Sequence, residues 1–171
     1  MTAGGRSSRS AFVVGLFGLS VYNVFLAAHV LAAVAWVGGG ATLTLLAFLT
    51  ARERDPVQMV HFAKRAAFCG QYLYTPASLI VLGFGLAMVE RGNWGWDHFW
   101  VQFGLAAWGA SFLVGFFFLG PQSAKLGKLM SERPADDPEV QERISRILLV
   151  ARFDILLLLL IVIDMTTKPF S

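Results

Sequence analysis

The sequence has little cysteine and little charge, and both shortages limit what the protein can be. The one cysteine in 171 residues, Cys69, excludes an internal disulfide and any metal site built from clustered cysteines. Charged residues make up 15% of the chain, whereas ordinary soluble domains contain about a quarter. Since 56% of the residues are hydrophobic, the composition predicts a small integral membrane protein.

The sequence also lacks the short motifs of soluble enzymes and of nucleic-acid-binding proteins. It contains no GxSxG, HExxH, P-loop or dinucleotide fingerprint in the right context. The net charge of +3 comes from basic residues in short stretches between apolar runs, rather than from a basic patch interleaved with aromatic residues. We therefore expect the lipid bilayer, and no nucleic acid, as a partner. The methionines are too scattered for a soft copper relay.

Four apolar stretches are long enough to cross a membrane as helices. A helix rises 1.5 Å per residue, so about 20 residues cross a hydrocarbon layer of about 30 Å. The predicted spans are about residues 24–49, 66–90, 99–120 and 145–166. Residues 1–10 are predicted to be a mobile tail, and residues 11–171 a single membrane domain. Short connections favour an antiparallel bundle, so the predicted fold class is all-α, an integral membrane four-helix bundle.

The stretches between the spans are predicted to be loops. Residues 52–65 are basic and contain Pro56, and residues 121–143 are polar and proline-rich, with room for a short surface helix. Pro76, inside the second span, is expected to kink the helix or open its hydrogen-bond ladder. Three tryptophans in residues 90–100 are typical of an interfacial aromatic belt; they are Trp94, Trp96 and Trp100.

The distribution of basic residues predicts the orientation of the chain in the membrane. Of the 14 Lys and Arg residues, all but four fall on the side of the first and third connections. The exceptions are Arg6, Arg9, Arg91 and Lys168. Because cytoplasmic loops carry an excess of Lys and Arg, we expect a multi-pass protein of the bacterial cytoplasmic (inner) membrane with both termini outside.

The most informative titratable residue of the first span is His29. An unpaired imidazole is costly in hydrocarbon, so His29 should face the bundle interior. Ala33, Trp36 and Gly40 follow on the same helix face, where small residues would leave clearance for a flat macrocycle coordinated by His29. The alternative is that His29 hydrogen-bonds a carbonyl or hydroxyl group of another helix and that the glycines serve only packing. A neighbouring stripe of small residues, Ala28, Ala32, Ala35, Gly39 and Thr42, favours close helix contact.

Further polar residues could complete or compete with a site at His29. His98 opens the third span on the side of His29, where it could be a second haem ligand or a wet interfacial residue. Asp164 enters the fourth span near the level of His29, and it could accept a hydrogen bond from that ring or extend to the surface beside Lys168. Asp154, two residues after Arg152, is interpreted as part of a structural or headgroup contact.

The run HVLAAVAWVGG from His29 to Gly39, together with DMTTKP from Asp164 to Pro169, resembles a family of small bacterial integral membrane proteins. That family is related to the copper-resistance protein CopD and the haem-pathway protein HemJ. In HemJ-like proteins the histidine matched by His29 is implicated in binding haem b, and a lysine near the start of the third helix is the other functional residue. This chain has Gln102 there, so the resemblance implies haem binding without HemJ-type protoporphyrinogen oxidation.

Three functions follow from these expectations. The first is a redox protein that binds haem b through His29, with Trp36, Gly40 and His98 around it, and exchanges electrons with a quinone or partner protein. The second is a non-catalytic accessory subunit of a larger respiratory or photosynthetic type complex, or a homo-oligomer, because 15 phenylalanines supply much apolar surface for neighbours. The third is copper handling.

Overall fold

Four helices packed antiparallel form the protein, as predicted. The computed structural model describes residues 20–53, 55–92, 94–134 and 136–169, so the predicted tail lies outside the described residues. The helices are α1 (Val21–Glu53), α2 (Pro56–Cys69 continued by Gly70–Tyr74 and Thr75–Arg91), α3 (Phe99–Glu132) and α4 (Pro138–Thr167).

The helices extend well beyond the predicted spans. Residues 56–65 were expected in a loop, yet α2 begins at Pro56 because the Asp55 carboxylate accepts hydrogen bonds from the backbone N–H groups of Val57 (2.9 Å) and Gln58 (3.4 Å). A proline in the first turn of a helix lacks only an N–H that has no partner there in any case. Asp137 caps α4 in the same way through the Glu139 N–H (2.8 Å). Pro56 and Pro138 therefore each lie in the first turn of a helix.

Three π-helical segments lie in the middle of the longest helices, one in each of α1, α2 and α3. They are Val34–Gly38, Gly70–Tyr74 and Val114–Leu119. Pro76 and Pro121 each follow a π-helical segment within two residues. The wider turn accommodates the bond that each proline cannot make. The Gly70 carbonyl accepts both the backbone N–H and the hydroxyl (2.9 Å) of Thr75. Hence α3 continues through Pro121, where the sequence had predicted its end.

Three of the four helices are long and apolar enough to cross a membrane. The qualifying stretches contain 33 residues in α1, 35 in α2 and 34 in α3. The 30-residue α4 is also long enough, but Arg152, Asp154 and Asp164 interrupt its apolar part. Since about 20 residues suffice to span the hydrocarbon, each helix has turns to spare at its ends.

The extra turns of α2 and α3 pack together at the end that carries most basic residues. We call this region, made of Pro56–Cys69, Gly120–Glu132 and the start of α4, the basic-end bundle. Its buried core consists of Met59, Leu126, Met130, Val140 and Ile144. Ala63 and Gly127 let α2 and α3 approach closely, since a Cβ at Gly127 would lie 3.5 Å from that of Ala63. The predicted loops are thus mostly a packed helical extension.

The tryptophans at the opposite end form a small core rather than a simple belt. Trp100 is buried, and its ring meets that of Trp94 edge-on at 5.6 Å between centroids. The Lys168 ammonium lies over both rings, 4.0 Å from the Trp94 centroid. Only Trp96, which is 46% exposed, has the exposure expected of a belt residue. The loop folds back on α3 and covers Trp100, which sequence could not show.

Candidate functional site

His29 lies against α2 in a pocket left by a glycine. Its Nδ1 is 2.8 Å from the carbonyl oxygen of Val81, and because a carbonyl only accepts, Nδ1 carries the proton. Gly85 sits one turn further along α2, and a Cβ there would lie 3.2 Å from His29 Cε1. His29 therefore makes the interhelical hydrogen bond that was the alternative to ligand binding.

The small residues of α1 mainly serve close packing. A Cβ at Gly39 would lie 2.5 Å from Tyr74 Cε1, so the tyrosine ring rests directly on the α1 backbone. Gly40 faces α4, with the Ile155 Cδ1 atom 3.6 Å from where its Cβ would be. Trp36 is buried with Ala77 and Leu158. The stripe below His29 is thus closely packed at Gly39, while Trp36 and Gly40 also line a cavity.

The described hydrogen bond and close glycine contact of His29 are made to Val81 and Gly85, and not to His98 or Asp164. His98 begins α3, with its ring 6.4 Å from that of Trp100. Asp164 is only 5% exposed and lies beside Gly104, and neither of its carboxylate oxygens has a hydrogen-bond partner. It therefore neither accepts from His29 nor reaches the surface beside Lys168. In the described part of the chain, no three His, Cys, Asp or Glu side chains are grouped to hold a metal ion.

A cavity of about 560 Å³ opens among the four helices at the level of the π-helical segments. Each of the three π-helical segments contributes to its wall, through Trp36, Tyr74 and Phe116 among others, and α4 contributes Asp154 and Leu158. Pockets that bind small molecules have volumes of about 300 to 1,000 Å³ and mostly apolar walls with a few polar groups. The cavity has the size and character of such a pocket.

Asp154, which the sequence analysis interpreted as part of a structural or headgroup contact, is the charged group among the described residues that line this cavity. Its Oδ1 atom is buried without a hydrogen-bond partner, while the Ser111 hydroxyl on α3 faces the carboxylate as a donor. Arg152 turns away and places its guanidinium over the Phe48 ring, 5.3 Å from the centroid. The sequence did offer a signal for this site, because an aspartate lies in the apolar fourth span and a serine lies in the third. The closeness of Asp154 to Arg152 suggested a different role.

Comparison with protein families places the chain in the membrane. Residues 23–169 match the model of the family DUF2269, described as predicted integral membrane protein. The chain belongs to this family. No curated protein and no solved structure matches it. Membership of DUF2269 agrees with the three apolar helices in making the protein a multi-pass integral membrane protein in contact with the lipid bilayer.

Some of the residues that line the cavity are also exposed on the outer surface of the helices. Two of its lining residues, Phe117 in α3 and Gln71 in α2, are exposed, and Phe117 is 68% exposed. Both lie in the π-helical segments, far from the ends of their helices. These segments belong to the helices α2 and α3, which are long and apolar enough to cross a membrane.

Proposed function

We propose that the protein binds a small amphipathic molecule in the cavity among its four helices, and that the molecule enters from the bilayer. The observation that carries this proposal is Asp154, a carboxylate that lines a cavity of about 560 Å³ and makes none of the described ion pairs. A carboxylate in apolar surroundings is costly unless it is paired. A ligand that donates to Asp154 would remove that cost.

A purely structural carboxylate would be expected to pair with a cation or with several donors. The nearest basic residue in sequence, Arg152, contacts the Phe48 ring instead. The four described ion pairs join Arg133, Arg143 and Arg146 to acidic residues of the basic-end bundle and its continuation into α4. The protein thus keeps a hydrogen-bond acceptor available at the cavity wall.

Fluorescence titration of the protein in nanodiscs tests the proposal. The probe is 1-aminoanthracene, a neutral tricyclic amine whose N–H can donate to Asp154. We expect one saturable site per chain above the linear partitioning seen with empty nanodiscs. Gly115→Trp should abolish saturation because Gly115 lines the cavity, whereas Gly109→Trp should not. These variants are matched, since a Cβ at either glycine meets nothing within 4 Å.

If the wild-type protein shows linear partitioning without a saturable site, the proposal is disproved. Equal saturable binding by the Gly115→Trp and Gly109→Trp variants would place the site elsewhere and would also contradict it.

A second candidate function is electron transfer by a haem b bound at His29. It is supported by the tautomer of the His29 imidazole. Because Nδ1 donates to the Val81 carbonyl, Nε2 keeps its lone pair, which is the tautomer that binds metals. A bound haem would supply one-electron redox chemistry. The cavity does not reach His29, so this candidate ranks second and stands independently of the first.

An absorption spectrum of the purified protein, oxidised and then reduced with dithionite, tests the haem proposal. His29→Ala should abolish the Soret band, and His61→Ala should not, because His61 is exposed in the basic-end bundle. Loss of the low-spin spectrum in His98→Ala would identify His98 as the opposite ligand. A colourless protein from haem-replete cells would end this proposal.

The accessory-subunit and copper functions have no comparable support among the described residues. Exposed apolar side chains are abundant, but lipid contact requires them on any membrane helix, so they do not indicate a protein partner.

For the orientation, we propose that the basic-end bundle is cytoplasmic and that both termini are outside, in the inner membrane of a bacterium. The excess of Lys and Arg at the basic end supports this. In a Cys69→Ser background, an impermeant thiol reagent added to intact cells should label Asp97→Cys and spare Ser131→Cys. The reverse labelling pattern would invert the orientation.

A further inference from the structure

The charge of the cavity narrows the class of molecule that it can bind. We infer that the ligand is a lipophilic organic cation and that Asp154 is its counter-ion, an inference that rests on the proposed binding function. Of the described residues that line the cavity, Asp154 alone carries a formal charge. The site therefore presents one carboxylate in otherwise uncharged surroundings.

Attraction between opposite charges is much stronger in such surroundings than in water. Two unit charges at the same separation attract several times more strongly in a protein environment than in water. The cations closest to Asp154 in sequence do not compensate it: Arg152 lies on Phe48, and Arg146 pairs with Glu142. A cationic ligand would both neutralise the carboxylate and fill the cavity beside it.

The aromatic wall of the cavity supports the same ligand class. Trp36, Tyr74, Phe112 and Phe116 line it together with Asp154. The rings of Phe112 and Phe116 lie nearly parallel, with centroids 5.8 Å apart. Aromatic faces attract organic cations, and flat rings also suit a planar ligand. One carboxylate with several aromatic rings is a suitable environment for an alkyl- or arylammonium group.

An inorganic cation fits the cavity less well. Calcium and magnesium require about six oxygen ligands at short distances, and the lining offers a single carboxylate with the side-chain oxygens of Ser111, Thr75, Tyr74 and their neighbours dispersed over a cavity of about 560 Å³. The dimensions suit a molecule of two or three fused rings rather than a single ion.

The experiment compares two probes of nearly the same shape and different charge. The cation 9-aminoacridinium and the neutral 1-aminoanthracene share a planar tricyclic frame. Each is titrated into the wild-type protein in nanodiscs of zwitterionic phosphatidylcholine, which removes any lipid charge that would concentrate the cation. We expect the cation to bind at least about tenfold more tightly, as one favourable charge pair in a protein environment would give.

Asp154→Asn provides the second arm of the test. It should weaken binding of the cation about tenfold or more and change binding of the neutral probe less than about twofold, because it keeps the shape and removes the charge. Retained binding of the neutral probe shows that this variant is folded. Ser111→Ala is the control for a polar contact without charge, and it should reduce the preference for the cation only slightly.

The outcomes separate this inference from the function on which it rests. If neither probe saturates on the wild-type protein, the binding function itself fails. If both bind equally well to the wild-type protein, or if Asp154→Asn weakens both alike, the site binds neutral molecules and the inference is overturned. The probe preference of the wild-type protein decides the matter even if the variants do not fold.

Discussion

The basic-end bundle and the membrane-level part of the same helices are stabilised in different ways. In the basic-end bundle, buried aliphatic and methionine side chains form a core around Val140, which is completely buried. At the membrane level, the buried cluster around Trp36, Ala77 and Leu158 is smaller, and contacts depend on glycines that receive a neighbouring ring and on side chains that bond to backbone carbonyls.

The difference follows from the two solvents. Apolar side chains gain free energy by leaving water, so a compact core can stabilise the helical extension outside the hydrocarbon. Lipid chains are as apolar as the side chains, so helices within them associate through close packing and hydrogen bonds instead. Weaker apolar packing at the membrane level also leaves room for a cavity lined by all four helices.

The largest expected effect is in the core of the basic-end bundle. Ile144→Ala should lower the free energy of unfolding by about 2 to 5 kcal/mol, the range for removing a buried aliphatic side chain. Val57→Ala, at a position that is 64% exposed on the same bundle, should cost less than about 0.5 kcal/mol. Thermal unfolding in detergent, followed by circular dichroism, measures both. Equal losses would mean that this end has no hydrophobic core.

A clash at the membrane level should come next. Gly39→Ala places a Cβ 2.5 Å from Tyr74 Cε1, whereas Gly38→Ala meets nothing within 4 Å. We expect Gly39→Ala to be less stable than Gly38→Ala by about 1 to 3 kcal/mol, as in other overpacked sites. Gly38→Ala itself should be neutral or slightly stabilising, because alanine favours helix. Indistinguishable melting curves would show that α1 and α2 do not depend on this contact.

Loss of the His29 hydrogen bond should have a smaller effect. His29→Leu removes the donor to the Val81 carbonyl and should cost about 1 kcal/mol, in the range measured for interhelical hydrogen bonds in membranes. The cost is limited because the carbonyl belongs to a helix and is not left without a donor. The exposed His61 offers the comparison, and His61→Leu should be close to neutral. A loss of several kcal/mol at His29 would imply a further role, such as a bound cofactor.

The smallest effect is expected for a surface ion pair of the basic-end bundle. Arg133 lies 2.8 Å from Glu139 and 3.6 Å from Asp137, and the Arg133 and Glu139 side chains are about half exposed. Arg133→Gln should cost about 0 to 1 kcal/mol at low salt, and the difference should vanish near 1 M salt because the charges are then screened. Melting curves at the two salt concentrations test this. A cost that persists at high salt would show that packing of the arginine, rather than its charge, matters.

Particular residues show where sequence-based prediction failed. Pro56 was placed in a loop and the third span was predicted to end at residue 120. Yet Pro56 occupies a first turn capped by Asp55, and α3 continues through Pro121 after a π-helical turn. Asp154 was interpreted, with its neighbour Arg152, as part of a structural or headgroup contact, and the structure places it at the cavity. The partner of His29 was sought on α3 or α4 and lies on α2.

The sequence by itself determined that the protein is a membrane-embedded bundle of four helices. Length and hydropathy are local properties, and each helix satisfies its own backbone hydrogen bonds within the lipid. Only the tertiary structure decided which faces of the helices meet, and therefore that His29 rests on Gly85 and that Asp154 faces the cavity. The rotation of each helix about its axis depends on which side chain packs against which glycine of a neighbouring helix. That helix is far away in sequence, so no local pattern contains the information.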